Sequence, residues 1–370
     1  IRDFRNIENR DAVLAHDGME YVTDAVGVPV TRWDGETMKV SPVTGEKIPD
    51  ETARKPVEKY LNPRKAAWPQ ADFVVGNPPF IGNKRMRTAL GDGYVEALRG
   101  AWTDVPESAD FVMYWWHHAA QMTQRGALQR FGLITTNGIR QAFNRKLVSD
   151  ALKDSASPLH LVFAVPDHPW VDSVDGAAVR ISMTVAAAGT GSGSLVTVAG
   201  ESLTSGDEVD VSLVREAGRI FEDLRTGVDV ASCSRLRSNM GLASRGVTLV
   251  GQGFLVPPET LPLLAGSNEF IKPYLAGRQL TKGSTQQWVF DFYGLTEEEV
   301  RSRAPAGYQW VFDRVREERL QNNRPAYRER WWVFAEPRAM FRNAANGLQR
   351  IVITPRTAKH RFFMFDRADV

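Results

Sequence analysis

The sequence predicts an α/β protein built on a doubly wound sheet, with a second, α+β module after it. Three observations lead there. Between Asp72 and Ala187, short apolar runs alternate with stretches of helical periodicity, the pattern of a mostly parallel sheet covered by helices. The last two runs, Leu159 to Val165 and Ala178 to Ala187, have no helical stretch between them, which argues an antiparallel final pair. The run Asp72-Phe73-Val74-Val75-Gly76 goes straight into Asn77-Pro78-Pro79-Phe80. Two prolines without N–H groups end that strand at a fixed point.

Taken in order, Asn6 to Leu14 reads as a strand closing on an acidic residue, Asp11, and then a short helix. Residues 18–70 do not read as a crossover. Val28 to Trp33 and Thr37 to Val40 flank Asp34-Gly35, a hairpin turn signal, so an inserted hairpin and loop over the mouth of the sheet is expected. Ser108 is the expected cap of a helix running to about Arg125, which Gly126 ends. Phe111, Trp115, Ala119 and Met122 recur at helical spacing and are predicted to face the sheet. Phe131 to Thr136 is the next buried strand. Gly189 to Ser194 reads as a flexible break, and it lacks the lysine and following helix of a phosphate loop. Residues 204–240 read as a helical acidic linker. A glycine-rich stretch, Gly241 to Gly253, leads into a mixed module from Phe254 onward. These readings divide the chain into a first domain at 1–190, a break and linker at 191–245, and a second module at 246–370, which is expected to be incomplete at Val370.

The chemistry concentrates after the first strong strand. The stiff path through Pro78 and Pro79 holds the Asn77 side chain and the Pro78 carbonyl outward as a pair of acceptors beside Phe80. Two acceptors and a flat ring suit an exocyclic amine on a planar base: the amine donates both hydrogens and the base stacks on the phenyl ring. The plainer alternative is a proline-terminated strand with no chemistry.

Further motifs follow in a fixed order: Gly76-Asn77-Pro78-Pro79-Phe80-Ile81-Gly82, Leu90 to Val95, Ser108 to Trp116, Gly132 to Gln141, and Thr354-Pro355-Arg356-Thr357-Ala358-Lys359-His360. The series resembles the large bacterial DNA adenine-N6 methyltransferases of the MmeI-like and DISARM phage-defence groups. The resemblance is strong over about 70–190 and weaker over 240–361. Asn-Pro-Pro-Phe alone would also suit protein-glutamine or ribosomal-RNA methyltransferases; the longer series selects DNA adenine. The resemblance implies a Rossmann-like class I sheet, a target-recognition module, double-stranded DNA as substrate and S-adenosylmethionine (SAM) as methyl donor. It leaves open other subunits of a defence system.

Residue by residue, the resemblance makes Asn77, Pro78, Pro79 and Phe80 the catalytic motif IV. Phe80 and Trp170, the latter in Asp167-His168-Pro169-Trp170, become the walls around an extruded adenine. Asp11 falls at motif III, whose carboxylate accepts from the adenine amine of SAM; an exposed loop aspartate fits the local sequence as well. Asp110 and Tyr114 match motif V near the cofactor, or serve structure alone. Trp170 could equally cover a core edge. Thr136-Asn137-Gly138 falls where family loops line the base pocket. Arg140, Arg145 and Lys146, and farther on Arg356 and Lys359 beside the stiffening Pro355, are the candidate phosphate contacts. Methyl transfer of this kind needs positioning and electrostatics rather than a tuned general base, in keeping with the lack of a histidine or paired-carboxylate constellation.

Composition bounds the reading from the other side. With 46 Lys+Arg against 44 Asp+Glu the net charge is only +2, but the distribution is uneven. Val311 to Arg361 holds 12 basic against 5 acidic residues, while Glu201 to Val230 holds 3 against 8. The basic stretch is interleaved with Trp310, Tyr327, Trp331, Trp332, Phe334 and Phe341. It suits either a nucleic-acid surface or a solvated face with core aromatics. The single cysteine, Cys233, excludes an internal disulfide and fits a reducing cytoplasm. No apolar run reaches membrane-spanning length. His117 and His118 point about 100° apart on a helix and are not read as a metal site; no metal is expected.

One family feature is missing from these residues. A strand leading into Asp/Glu-x-x-x-Gly-x-Gly, the glycine-rich SAM motif, does not occur, and Gly189 to Gly193 lacks its acidic residue. The expectation is that the sequence is a segment with that motif before Ile1, rather than a domain that has lost its cofactor. Three readings follow: an active adenine-N6 methyltransferase of a defence system, a non-catalytic DNA-binding subunit of the same fold, or the modification half of an enzyme that also cuts.

Overall fold

The sheet is mixed rather than mostly parallel as expected, with three antiparallel and two parallel pairings, and it has two more strands at one side than the four predicted between Asp72 and Ala187. Its strands are β1 (Phe73–Gly76), β2 (Arg130–Thr136), β3 (Leu159–Val171), β4 (Ala178–Ala188), β5 (Gly193–Leu203) and β6 (Val209–Gly218), in the order β6-β5-β3-β4-β2-β1. The computed structural model of the chain describes residues 7–41, 45–171, 178–203, 209–229, 233–234, 236–264, 266–282, 287–322, 324–356 and 360–367. Strands β1 and β2 are parallel, and β4 lies antiparallel between β2 and β3. The late antiparallel pair is therefore present, with β4 inserted inside the sheet.

The chain divides into two compact units, one of Ile1–Val30 and Val57–Ser234, the other of Thr31–Pro56 and Arg235–Val370.

In the first unit, three helices, α1 (Asp92–Ala101), α2 (Val112–Gln124) and α3 (Ala142–Leu152), accompany the sheet. The fully buried residues of α2 are Val112, Met113, Tyr114, Trp116, Ala119, Ala120 and Thr123. The inward face is thus turned from the expected one: Trp115 and Met122 are only half-buried, while Trp116 meets the sheet edge-on at Phe131, with ring centroids 5.3 Å apart. Its indole N–H donates to Thr184 Oγ1 of β4 at 3.2 Å, which satisfies the one polar atom that burial would otherwise strand. The helix also starts later than Ser108, because Asp110 is engaged elsewhere. Gly126, at φ 76°, ends it as expected.

The glycine run is a short loop, 189–192, that leads directly into a strand, and no α-helix lies between 209 and 240 among the described residues. β5 starts at Gly193 and pairs in parallel with β3, and β6 returns antiparallel to β5. Gly193 is there because the strands nearly touch: a Cβ at this position would lie 2.1 Å from the Leu161 carbonyl oxygen. Of the acidic residues read as a linker, Asp210 and Glu216 lie on β6, the outermost strand of the sheet, where charge suits an edge, and residues 204–208 lie outside the described ones.

The start of the chain differs too. Instead of a helix after Asp11, the Asp11 carboxylate accepts from the N–H groups of Val13 (2.8 Å) and Leu14 (2.9 Å). That turn leads into a short strand, Leu14–Ala15, paired with Arg64–Lys65. A network binds this segment to α2. Asp104 accepts from Lys65, Gln121 and His117, and His118 stacks on Trp68 with centroids 4.2 Å apart. Burial opposes the charged form of Asp104, but the hydrogen bonds from Lys65 and His117 outweigh it and hold the carboxyl below its usual range. The two histidines are thus structural partners, and among the described residues no group of side chains could hold a metal.

Three short antiparallel strand pairs lie between residues 18 and 61, one in the first unit and two in the second. Gly18–Tyr21 pairs with Glu58–Leu61, Thr31–Trp33 with Arg54–Pro56, and Met38–Val40 with Lys47–Pro49. The expected hairpin at Asp34-Gly35 is not formed. Asp34 instead accepts from the N–H groups of Glu36 and Thr37, each at 2.9 Å, turning the strand without reversing it. Reversal comes later, between Val40 and Lys47.

The second unit holds a small antiparallel sheet of β7 (Leu255–Val256), β8 (Ile271–Tyr274) and β9 (Gln287–Phe290), in the order β7-β9-β8. A capping box between Thr296 and Glu299 starts α4 (Glu297–Arg303), and α5 (Pro305–Leu320) follows. The aromatics of the basic stretch belong to this core: Trp310, Trp331, Trp332 and Phe334 are all buried, with Phe254, Phe290 and Phe292. Arg319, 1 % exposed, donates to the carbonyls of Leu249, Val250 and Val333. The solvated-face alternative with core aromatics is therefore the one realised for these rings. No helix among the described residues is long and apolar enough to cross a membrane.

Candidate active site at the carboxyl end of the sheet

Strands β1, β2 and β3 all run in one direction, so their carboxyl ends open at one edge of the sheet, where open α/β sheets bind ligands. β1 stops at Gly76, opposite Leu133 of β2. Beyond it Asn77 and Pro79 are exposed, Pro78 is buried and Phe80 is half-buried. Neither the Asn77 amide nor the Pro78 carbonyl takes a hydrogen bond from the described residues, whereas the Pro79 carbonyl accepts from Ile81 N–H at 3.1 Å. Burial of Pro78 and that local turn hold the loop, and the acceptor pair is left unspent.

The row Thr136–Ile181–His168 crosses β2, β4 and β3. Asn137 and Trp170 project past it. Trp170 sits in the last turn of strand β3, paired with Val179, rather than in a loop; residues 172–177 of that loop lie outside the described ones. Three strand spacings, roughly 14 Å, separate β1 from β3. Phe80 and Trp170 are half-buried, and their rings are not brought together.

Asp11 and Asp110, the two candidate cofactor carboxylates, are both engaged by the protein. Asp11 spends Oδ1 on its turn, and Oδ2 accepts from the Tyr94 hydroxyl at 2.6 Å. Burial, then that bond, pushes the Tyr94 phenol up. The carboxylate is still at the surface, and each oxygen can accept a second bond. Asp110 spends Oδ1 on the Asn83 N–H at 2.9 Å and Oδ2 on Asn144 Nδ2 at 2.8 Å. Tyr114 is 0 % exposed, edge-on to Trp102. Burial pushes its phenol up to about 12. Its ring is part of the core, and the structural alternative stated for it is the one its position favours.

The candidate phosphate contacts fall into three groups. Arg140 is drawn inward: its Nε donates to the Asp223 carbonyl at 3.0 Å, and it lines an open cleft of about 250 Å³ with Asp167, Arg180, Thr197 and Arg225. Lys146 pairs with Asp150 one turn along α3 at 2.5 Å. Arg145 and Arg356 form no ion pair among the described residues, and Lys359 lies outside them. Sequence reading missed several members of the site. Arg180 clamps Asp167 (2.6 Å) and Glu201 (2.7 Å) beside Asn137. Lys84 and Arg85, exposed just after Phe80, meet no acidic partner among the described residues. Asn144 carried a signal that was overlooked: a polar residue where the α3 pattern, with Leu147, Val148 and Ala151, calls for an apolar one.

Comparison with known proteins bears on the domain and its fold. A family model, the DNA-methyltransferase domain of MmeI, matches residues 37–196. Among solved structures, the type IIL restriction–modification enzyme MmeI in complex with DNA superposes with a TM-score of 0.52 at 18% identity, covering 80% of this chain and 39% of that one. At that identity the match speaks for the fold. The chain thus spans well under half of the MmeI chain it matches. A modification subunit of a putative type I restriction enzyme from Vibrio vulnificus YJ016 matches 39% of this chain and 26% of its own at 15% identity, with a TM-score of 0.25, too low to bear on the fold. No curated protein sequence matches the chain. Residues 37–196 are thus similar to the DNA-methyltransferase domain of MmeI, and the chain has an α/β methyltransferase-like fold.

Proposed function

We propose that the chain carries the catalytic part of a SAM-dependent DNA adenine-N6 methyltransferase, acting in the cytoplasm within a restriction–modification or phage-defence system, and that its second unit recognises the DNA target. The observation that carries this reading is the unspent acceptor pair of Asn77 and Pro78 beside Phe80 at the carboxyl end of β1. An adenine turned out of the duplex places its amine there. Asn77 Oδ1 and the Pro78 carbonyl each accept one N–H, which aims the nitrogen lone pair outward and raises its electron density. Phe80 stacks on the ring and offsets part of the few kcal/mol that extrusion costs. SAM, when bound, supplies an electrophilic methyl group. Asp11 is the residue that fits it: a surface carboxylate held by two N–H groups and Tyr94, with a free lone pair on Oδ2 for an amine donor. Asp110 fits a tie better than a ligand, and Tyr114 fits the core. Phe73 and Val75 share one face of the outer strand β1 and are 59 % and 87 % exposed, which suits a further element packed on that face.

The test is transfer of tritium from labelled SAM to DNA by the full-length protein, with the product nucleoside identified by mass spectrometry. N6-methyladenine is expected, and Asn77→Ala should abolish it while leaving DNA affinity and thermal stability close to wild type. Product on cytosine, or full turnover in the variant, would sink the reading. A protein that binds DNA and SAM but never transfers would be the non-catalytic subunit instead.

A further inference from the structure

We infer that Asn144 is a positioning residue for methyl transfer: through Asp110 it fixes the loop that carries Asn77, Pro78 and Phe80 to the turn that follows β2. The inference rests on the function proposed above. Asn144 is 4 % exposed on the first turn of α3. Its Oδ1 accepts from the Asp110 N–H at 2.9 Å, and its Nδ2 donates to Asp110 Oδ2 at 2.8 Å and to the Gly138 carbonyl at 2.9 Å. Both amide hydrogens are thus used, one on each of two different loops.

Asp110 passes the constraint on. Its Oδ1 accepts from Asn83 N–H at 2.9 Å, and the neighbouring Phe111 N–H donates to the Ile81 carbonyl at 2.9 Å. Two consecutive residues therefore hold two points of the backbone just after Phe80. At the far end, Gly138 leaves no room for slack. A Cβ there would lie 2.9 Å from Thr136 Oγ1 and 3.1 Å from Asp110 Oδ2. The catalytic loop, the start of α2 and the turn after β2 are closed into one unit by a single buried amide. An amide is required at 144. A carboxylate would face the carboxylate of Asp110, and an apolar side chain would leave Asp110 and Gly138 without their donor. Asn144 is buried with its amide spent on Asp110 and Gly138, so it acts through Asp110 and not on the reacting atoms.

The experiment uses the full-length protein and three variants: Asn144→Ala, Asn144→Asp, and the exchange Asp110→Asn with Asn144→Asp. Three quantities are read: single-turnover methyl transfer, DNA affinity, and hydrogen exchange over 78–83 and 137–141, all well below the unfolding midpoint. Asn144→Asp should slow transfer by about 10²-fold, the cost of a displaced catalytic group. Its DNA affinity should stay within about threefold of wild type if the loss is one of positioning rather than binding. Exchange in both segments should quicken. The exchanged pair restores a donor between 110 and 144 but not the bond to Gly138, so it should recover about tenfold of the lost rate. Wild-type transfer and exchange in Asn144→Ala, or a rate loss in Asn144→Asp with no recovery in the exchanged pair, overturns the inference. A wild-type protein that never methylates adenine overturns the function instead, a result that does not depend on any variant.

Discussion

Phe80 and Trp170 stand at the ends of strands about 14 Å apart, and only Phe80 adjoins the acceptor pair. Their substitutions should therefore differ. Phe80→Ala should weaken capture of the extruded base by about 1–3 kcal/mol, the worth of one stacking partner, read as loss of fluorescence from 2-aminopurine at the target position. Trp170→Ala should give a comparable loss only if the turn beyond β3 carries the indole over the base. An unchanged signal removes it as the second wall. His118 makes a prediction of another kind. Burial, and then the charge of Lys65, lower its imidazole from 6.5 to about 4. Between those values the unfolded chain binds a proton that the native protein refuses. The stabilisation is complete above about 6.5 and is lost as pH falls toward 4. In His118→Phe, which keeps a ring on Trp68, urea midpoints at pH 7.5 and pH 5 should lie closer together than in the wild type. An unchanged gap would show that other groups govern acid sensitivity.

At the scale of elements, the β5–β6 hairpin hangs on one close approach. Gly193→Ala puts a methyl against the Leu161 carbonyl, so the strands must separate. Overpacking of this kind costs about 1–3 kcal/mol, seen as a lowered unfolding temperature with the acceptor pair at Asn77 undisturbed; an unchanged temperature would mean the sheet edge is slack. This hairpin also marks where the sequence was hard to read. Strands β1 to β4 were legible because runs such as Phe131 to Thr136 are apolar on both faces and end at sharp breakers. β6 lies at an edge, and its acidic residues weaken the alternation that names a strand. Gly189 to Gly193 looked like a linker because glycine signals equally a floppy chain and a crowded one. The acceptor pair was legible because two prolines fix a backbone by local sterics alone. Asn144 was not, since its partners at 110 and 138 are brought to it only by the fold. The rings from Trp310 to Phe334 were ambiguous for the same reason: composition does not say which way a side chain faces.

For the whole molecule, charge matters where it is uncommitted. In the second unit Arg314 is held by Glu46, Arg324 by Glu336 and Arg342 by Asp291. Such cations shape the protein and release few counterions from DNA. Lys84, Arg85, Arg145 and Arg356 have no such partner among the described residues. Replacing Lys84 and Arg85 together by alanine should flatten the slope of log K against log salt by about one to two units. Arg342→Ala should lower thermal stability and leave the slope alone. A reversed pattern would place the phosphate contacts inside the ion-paired surface.

The ribbon that Thr31–Pro56 forms within the second unit has a consequence for how such chains could be recombined. The second unit is made from two separate stretches, Thr31–Pro56 and Arg235–Val370. Helix α5 packs on Lys47–Pro49, where Ile48 is 5 % exposed, and Arg314 takes Glu46 at 2.6 Å. A crossover between two related genes at a single joint near residue 235 would deliver a foreign module against a native ribbon tip, with Ile48 and Glu46 facing surfaces that never evolved beside them. A graft must carry both stretches, or a matched tip, to arrive whole. Inheritance of the module as a block is thus restricted by a stretch that lies, in the gene, ahead of Asn77-Pro78-Pro79-Phe80.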